Sequence, residues 1–185
     1  MHMNKKRKWF IEIILIVLIG IIVKTNIDIN RQFPQAKKVE KNTGEDMQLE
    51  QDILIRVEKI TFSEVKNYKK NITKGIRALG GNAKILVVDA KIKNISSVST
   101  KIRLYEFVLQ NKVWSNGVNP ELFFELNPEN IDLECILEAK TEISVKIPFV
   151  IYDFQVKDKQ WKELKESKFD LVLSVYPYRK VIHII

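Results

Sequence analysis

Histidine and cysteine, which most often carry acid-base or nucleophilic catalysis, are nearly absent from this 185-residue sequence. The two histidines are His2 and His183, and Cys135 is the single cysteine. A Ser-His-Asp or Cys-His mechanism would therefore have to use His183 alone. Its neighbours Ile182 and Ile184 favour a surface or rim histidine on an edge strand instead. We expect no catalytic residue, no cofactor and no enzymatic activity.

Cys135 lies in a stretch of alternating residues, 131–137. On a strand it shares one face with Ile131, Leu133 and Leu137, which predicts a small core residue rather than an exposed thiol. A lone cysteine also excludes an intramolecular disulfide and a cysteine-based metal cluster.

Oxygen-bearing side chains cluster just before and within that stretch, and such clusters can hold Ca²⁺. They are Asn127, Glu129, Asn130, Asp132 and Glu134. The segment lacks a glycine at the turn that a calcium loop requires and has no regular ligand spacing. Ordinary loop and strand polarity is the better interpretation, so we expect no metal site.

A basic stretch over residues 66–77 is the strongest candidate for a functional feature in the sequence. Its cations are Lys66, Lys69, Lys70, Lys74 and Arg77, interleaved with Tyr68 and Ile72. Near a negative surface each such charge contributes ~1 kcal/mol, so the stretch is a candidate contact for anionic lipid head groups or a wall polymer. The alternative is a solvated loop that binds nothing.

The net charge of +8 is spread unevenly. Residues 1–49 carry half of it, which leaves the rest of the chain only mildly basic. Nucleic acid is therefore not an expected partner.

The N-terminal segment predicts a membrane anchor. A basic tail, 1–8, precedes an apolar segment, 9–29, whose 21 residues form a helix of ~31 Å, enough for ~30 Å of hydrocarbon. Trp9 lies where an interfacial aromatic is expected, and Lys24 can extend to the outer interface. The basic tail favours a cytoplasmic N-terminus and an extracellular C-terminal domain.

A cleaved signal peptide is the competing interpretation of the same segment. The uninterrupted apolar core, 13–23, has 11 residues, which is shorter than a complete span of ~20. No small-x-small cleavage site follows Val23, so we favour an uncleaved signal-anchor. A buried helix of a soluble protein is a third interpretation.

The remaining sequence divides into a linker and one β-rich domain. Residues 30–51 are polar and predict a juxtamembrane linker reaching on the order of 25 Å. Residues 52–185 show period-2 alternation, which predicts an antiparallel β-sandwich. Strands are expected near 53–57, 84–94, 101–110, 131–137, 141–150, 169–176 and 180–185, with a basic insertion over 63–79 and a short helix over 157–167.

Four features carry a family resemblance: the strand 84–94 ending in Lys-Asn, the stretch 147–149 (Ile-Pro-Phe), Trp161, and the stretch 169–177 (Phe-Asp-Leu-Val-Leu-Ser-Val-Tyr-Pro). Behind an N-terminal anchor, this order resembles small membrane-tethered Gram-positive bacterial proteins of unknown function. It also resembles the immunoglobulin-like extracellular domains of bacterial lipoproteins, although this chain lacks their acylated cysteine. The resemblance implies an immunoglobulin-like fold outside the cell membrane and transfers no active residue.

Two non-enzymatic functions remain open at this stage, and a hydrolase with an unusual site is a third hypothesis, which would require a deep pocket lined by two or more of the carboxylates named above. The first is a non-enzymatic cell-surface domain that binds an envelope protein, a wall polymer or a small ligand. The alternative is a bitopic accessory subunit whose transmembrane helix contacts a transport, secretion or signalling complex.

Overall fold

The computed structural model describes residues 5–68, 74–78, 82–127 and 131–184. They form two units, one ending at Ala36 and one beginning at Lys37. The first unit is helix α1 (Lys5–Gln32), which contains the predicted segment 9–29. Residues 8–32 of α1 are long and apolar enough to cross a membrane, a test that a signal sequence also passes.

The second unit is mainly β. Its described strands are β1 (Lys37–Asn42), β2 (Asp46–Glu50), β3 (Ile53–Glu64), β4 (Ala83–Asn94), β5 (Thr100–Arg103), β6 (Val108–Gln110), β7 (Ser115–Gly117), β8 (Glu134–Leu137), β9 (Glu142–Tyr152), β10 (Phe169–Ser174) and β11 (Tyr178–Ile184). Short helices connect some of them, namely α2 (Lys74–Ala78), α3 (Pro120–Leu126) and α4 (Asp158–Lys162). Single 3₁₀ turns lie at Val65–Asn67, Leu104–Glu106, Asp153–Gln155 and Leu164–Glu166.

The strands form two main sheets and one small one. The first sheet has the order β1-β11-β10-β6-β7, the second has the order β2-β3-β4-β9, and β5 pairs with β8. Inward-facing side chains from the two main sheets form one core, which includes Ile55, Leu86, Phe149, Leu171 and Ile182. The mainly β, sandwich-like prediction is confirmed. One pair departs from the antiparallel pattern, because β1 runs parallel to β11.

The outer face of β4 and β9 carries a second, smaller core. Ile85 and Val87 of β4 are buried there against Ile76 of α2 and Leu122 of α3. Both faces of β4 are therefore covered near its start, which accounts for the unbroken apolar run over 85–88. This second core holds α2 against the sheet.

The structure differs from the predicted linker over residues 30–51. Strands β1 and β2 occupy most of that segment, and only 33–36 separate α1 from the first strand. β1 is polar and mostly exposed, and it is held by backbone pairing with β11 rather than by burial. Its sequence therefore shows no apolar period. In β2 the alternation is limited to two buried residues, Met47 and Leu49.

Candidate functional site

The second sheet ends at a cleft that gathers basic side chains. β3 finishes at Glu64, directly opposite Lys84 at the start of β4. A depression of about 400 Å³ opens beside this pair. We call it the basic cleft, and its lining residues are Glu64, Val65, Lys66, Ile76, Arg77, Asn82, Ala83, Lys84 and Trp161.

Three separate segments supply these side chains. Lys66 belongs to the 3₁₀ turn that follows β3. Arg77 lies on α2 next to Ile76, which is buried in the second core and so fixes the helix on the sheet. Trp161 comes from α4, where it is partly buried and packs against the main core. The cleft thus depends on the tertiary fold rather than on one loop.

Lys84 and Trp161 form the best-defined contact in the cleft. The Nζ of Lys84 lies 4.2 Å from the centre of the Trp161 ring and donates a hydrogen bond to the Trp161 carbonyl at 2.7 Å. A lysine ammonium over an indole face is a favourable cation-π arrangement. The contact holds one positive charge at the wall of the cleft.

The other two cations are also held by the protein. The Nζ of Lys66 forms an ion pair with the Glu64 carboxylate at 2.6 Å. Arg77 donates a hydrogen bond from Nη2 to the Val65 carbonyl at 3.1 Å. Three cations therefore face one carboxylate among the described lining residues.

A hydrogen-bonded pair fixes the rim of the cleft. The Asp153 carboxylate accepts hydrogen bonds from the backbone N–H and the side-chain amide of Asn82, both at 2.9 Å. The Asp153 N–H donates in turn to the Asn82 carbonyl at 2.9 Å. The start of β4 is thereby tied to the end of β9.

The charges in the cleft shift one another's pKa. The hydrogen bond and charge of Lys66 hold the pKa of Glu64 below its ordinary value, and Lys165 and Lys84 act in the same direction. Partial burial lowers the pKa of Lys84, and repulsion from Lys165 lowers it further. An anion bound near Lys84 would offset that repulsion. The arrangement therefore suits the binding of a phosphate, sulfate or carboxylate group.

The structure brings together two of the five cations predicted from the basic stretch. Lys66 and Arg77 line the cleft, whereas Lys74 is exposed on α2 and does not line it. Lys69 and Lys70 lie outside the described residues. That this stretch contacts an anionic surface remains a prediction. Sequence reasoning missed Lys84 as a member of the site and used Trp161 only as a feature of the family resemblance.

His183 has a different setting from the one predicted. It belongs to β11, which lies between β1 and β10 rather than at a sheet edge. Its Nδ1 lies 2.7 Å from Oδ1 of Asp170, its cross-strand partner on β10. The edge-strand prediction is wrong because it took no account of β1, which covers that side of β11.

Cys135 is a core residue, as predicted from its alternation with apolar neighbours. It is 9% exposed and belongs to the main core. Burial, with a smaller contribution from the charge of Asp132, raises the pKa of its thiol. A buried thiol that stays neutral does not suit nucleophilic chemistry.

The described members of the oxygen-rich cluster form hydrogen bonds and ion pairs within the fold. Asn127 donates from its side-chain amide to the carbonyls of Phe123 and Lys146, at 2.8 and 2.7 Å, and accepts from the Lys146 N–H at 2.8 Å. Glu134 pairs with Lys101 at 2.9 Å. Glu129 and Asn130 lie outside the described residues. Within the part of the chain that the structure describes, no three His, Cys, Asp or Glu side chains group to hold a metal ion.

The fold and the cleft define a β-sandwich domain whose described residues include a group of basic side chains in one cleft. The sequence profile of a family described as Domain of unknown function (DUF5028) matches residues 30–180. The chain belongs to this family. A comparison with curated proteins found no match.

The solved structures that match this chain include proteins of three bacteria. The yjhA protein of Bacillus subtilis is 14% identical with a TM-score of 0.46, over 78% of this chain and 99% of that one. A functionally unknown protein of Listeria monocytogenes EGD-e is 14% identical with a TM-score of 0.47, over 69% and 70%. An uncharacterized beta-sandwich protein of Clostridium difficile 630 is 12% identical with a TM-score of 0.45, over 82% and 98%.

Proposed function

We propose that this chain is a non-enzymatic binding domain held at the outer face of a cell membrane by α1, and that its basic cleft binds an anionic group of an envelope component. The observation that carries the ligand proposal is the meeting of Lys66, Arg77 and Lys84 beside the ring of Trp161 and the carboxylate of Glu64.

The character of α1 supports the anchor. The apolar part of the helix, 8–32, has 25 residues and a length of ~37 Å, which exceeds the ~30 Å of hydrocarbon in a bilayer. The basic residues Lys5–Lys8 precede Trp9 at its start. Positive charge on that side favours retention of the N-terminus in the cytoplasm, with the β domain outside.

The residues that carry chemistry elsewhere support a binding role over catalysis. His183 is paired with Asp170, and Cys135 is buried in the core. Neither faces the basic cleft. The described residues that line it include three cations, one carboxylate and an indole ring, which suit recognition of a negatively charged group.

The position of the cleft favours an envelope polymer or a free anion over lipid head groups. Glu64 and Lys84 lie at one end of the β3-β4 pair, and Ile53 lies opposite Asn94 at the other. Those ends are ~36 Å apart at ~3.3 Å per residue. Near the Ile53 end, Lys180 of β11 donates to the carbonyl of Leu49 at 2.8 Å.

That hydrogen bond shows which ends of the two main sheets lie together, because β11 belongs to the first sheet and Leu49 of β2 to the second. β11 begins at Tyr178, which lies opposite Lys37, the first residue of the β domain. Tyr178 and Leu49 line the same depression. The end of the domain at which the chain enters is therefore the end away from the cleft. A ligand that extends outward from the membrane is the better match.

The test compares two double variants of the full chain in phosphatidylcholine nanodiscs, with polyphosphate as the anionic probe and dextran as the neutral one. We expect Lys66→Gln with Lys84→Gln to weaken polyphosphate binding by about 2 kcal/mol, or roughly 30-fold, because each cation contributes ~1 kcal/mol. Dextran should bind neither the unsubstituted chain nor the two double variants.

The matched control is Lys91→Gln with Lys93→Gln, which removes the same charge from the other end of β4. This control should weaken binding by less than half as much on the free-energy scale. Equal losses of binding free energy in both variants would mean that net charge alone controls polyphosphate binding, which would contradict a cleft site. Thermal unfolding of each variant checks that the fold is retained.

A further inference from the structure

The turn between β10 and β11 exposes large apolar side chains at the end of the domain away from the basic cleft. Val175 is 71% exposed, Tyr176 is 54% exposed and Tyr178 is 45% exposed. We call residues 175–178 the hairpin tip. Adjacent exposed apolar side chains commonly mark a contact surface. Tyrosine in particular combines an apolar ring with a polar hydroxyl, as residues at a membrane interface do.

Basic residues stand directly beside the hairpin tip. Lys37, at the start of β1, lies opposite Tyr178, and Lys38 lies opposite Arg179. The Lys37 N–H donates to the Pro177 carbonyl at 3.1 Å, so the start of β1 is bonded to the tip itself. Both lysine side chains are exposed. The tip is therefore an aromatic surface with positive charge at its margin.

The chain that leads into this end of the domain is short. Residues 33–36 are the whole connection between Gln32, the last residue of α1, and Lys37. Five residue steps extend to at most ~18 Å. The predicted linker over 30–51 would have allowed a wider range of positions for the domain.

We propose that the hairpin tip rests in the outer head-group layer of the membrane that holds α1, with Tyr176 and Tyr178 at the interface and Lys37 and Lys38 near lipid phosphates. This inference rests on the proposed membrane anchor. Tyrosine and tryptophan are enriched at membrane interfaces, and lysine is attracted to anionic lipid. The short connection keeps the tip within reach of that layer.

This contact would orient the whole domain. Because the hairpin tip and the basic cleft lie at opposite ends, a tip resting on the bilayer directs the cleft outward. The membrane contact and the binding of an envelope ligand therefore use separate surfaces of the domain.

Site-specific fluorescence on the full chain in liposomes tests the contact. A Cys135→Ala background carries Tyr176→Cys or, as the matched control, Val113→Cys, each labelled with a polarity-sensitive dye. Val113 is 48% exposed in the β6-β7 turn. That turn is at the other end of the same sheet, because Gln110 pairs with Asp170 near the start of β10. The liposomes contain phosphatidylglycerol and spin-labelled lipid.

We expect the dye at position 176 to emit at shorter wavelength and to be quenched several-fold more strongly by the spin-labelled lipid than the dye at 113. Lys37→Gln with Lys38→Gln should reduce that quenching, whereas Lys112→Gln with Lys168→Gln, at exposed positions near the other end of the same sheet, should not. Replacing phosphatidylglycerol with phosphatidylcholine should also reduce it.

The contrary outcomes are distinct. A chain retained in alkali-washed liposomes with no quenching at 176 overturns the tip contact and leaves the anchor intact. A chain released by the alkali wash overturns the anchor and the tip contact together. Equal quenching at both positions would mean that the domain lies flat on the bilayer, which also overturns the proposal. If the dye at position 176 is shielded from quenching by dissolved iodide but is not quenched by the spin-labelled lipid, the tip contacts a second copy of the chain. That result would overturn the lipid contact.

Discussion

The ammonium of Lys84 lies 4.2 Å from the centre of the Trp161 ring, although 77 positions separate the two residues in the sequence. β4 carries the lysine and α4 carries the tryptophan. Their contact forms part of the wall of the basic cleft and joins α4 to the second sheet.

We expect this pair to contribute measurably to stability. A double-mutant cycle of Lys84→Met and Trp161→Leu should give a coupling free energy of about 0.5–1 kcal/mol, as for a cation-π contact at a partly exposed site. Urea unfolding of the four proteins measures it. Lys91→Met with Trp161→Leu provides the control cycle, whose coupling should be close to zero because Lys91 lies near the other end of β4. A coupling near zero for Lys84 would contradict the contact.

The bond between Asp153 and Asn82 predicts a pH-dependent contribution to stability. Hydrogen bonds, first from the backbone N–H of Asn82 and then from its side chain, hold the pKa of Asp153 below its ordinary value of 3.8. A lowered carboxyl pKa stabilises the folded state above the ordinary value, and that stabilisation is lost as the pH falls through the folded-state pKa.

Asp153→Ala should therefore lower the free energy of unfolding at neutral pH, and the difference from the wild-type domain should shrink as the pH falls below 3.8. Urea unfolding at neutral pH and at progressively lower pH follows this difference. A difference that stays constant or grows on acidification would contradict the interaction. Asn82→Ala should reproduce part of the effect because it removes the side-chain donor but keeps the backbone N–H.

The sequence pattern predicted the core strands because burial controls them. In β4, Val88, Ala90 and Ile92 face the core while Lys91 and Lys93 do not, so the period of two is visible without any structure. β1 has no such pattern. Its position depends on backbone hydrogen bonds to β11, which leave little trace in the side-chain sequence.

The site was only partly predictable for a similar reason. Lys66 and Arg77 occur within one basic stretch, and their charge drew attention to it. Lys84 joins them because it pairs opposite Glu64 across β3 and β4, and Trp161 joins them through the contact of α4 with Lys84. That register depends on the whole hairpin, and no local spacing encodes it.

The polar residue that ends β4 is Asn94, and its side chain has a structural role. It is completely buried, and its amide donates to the carbonyls of Val98 and Leu137 at 2.8 and 3.0 Å. Asn94→Ala should cost about 1–3 kcal/mol in the free energy of unfolding, because the carbonyl of the buried Leu137 loses its donor. Thermal or urea unfolding measures the loss. The control Asn67→Ala, at an exposed position, should change stability by less than about 0.5 kcal/mol. Equal effects of the two substitutions would contradict this role.

The burial of Cys135 predicts a slow thiol. Burial raises the pKa of this thiol above its ordinary value of 9.0, so it stays neutral at physiological pH. Ellman's reagent should react with the folded domain far more slowly than with the urea-unfolded chain, because reaction requires local opening. Fast reaction in the folded state would contradict a core position. Cys135→Ser should cost about 1–3 kcal/mol if its hydroxyl lacks a partner, and more than Cys135→Ala.

Replacement of the anchor separates the two non-enzymatic functions left open by the sequence. If the β domain acts through its cleft, α1 serves as a tether, and an unrelated spanning helix in place of residues 9–29 should preserve polyphosphate binding and membrane retention. If α1 instead recognises another membrane protein, the exchange should abolish the cellular role while leaving polyphosphate binding intact. The measurement pairs binding in nanodiscs with complementation of a deletion strain. Complementation by the exchanged chain, but not by the Lys66→Gln and Lys84→Gln variant, would assign the role to the cleft. The reverse result would assign it to the helix, since a tether tolerates a new sequence and a recognition surface does not.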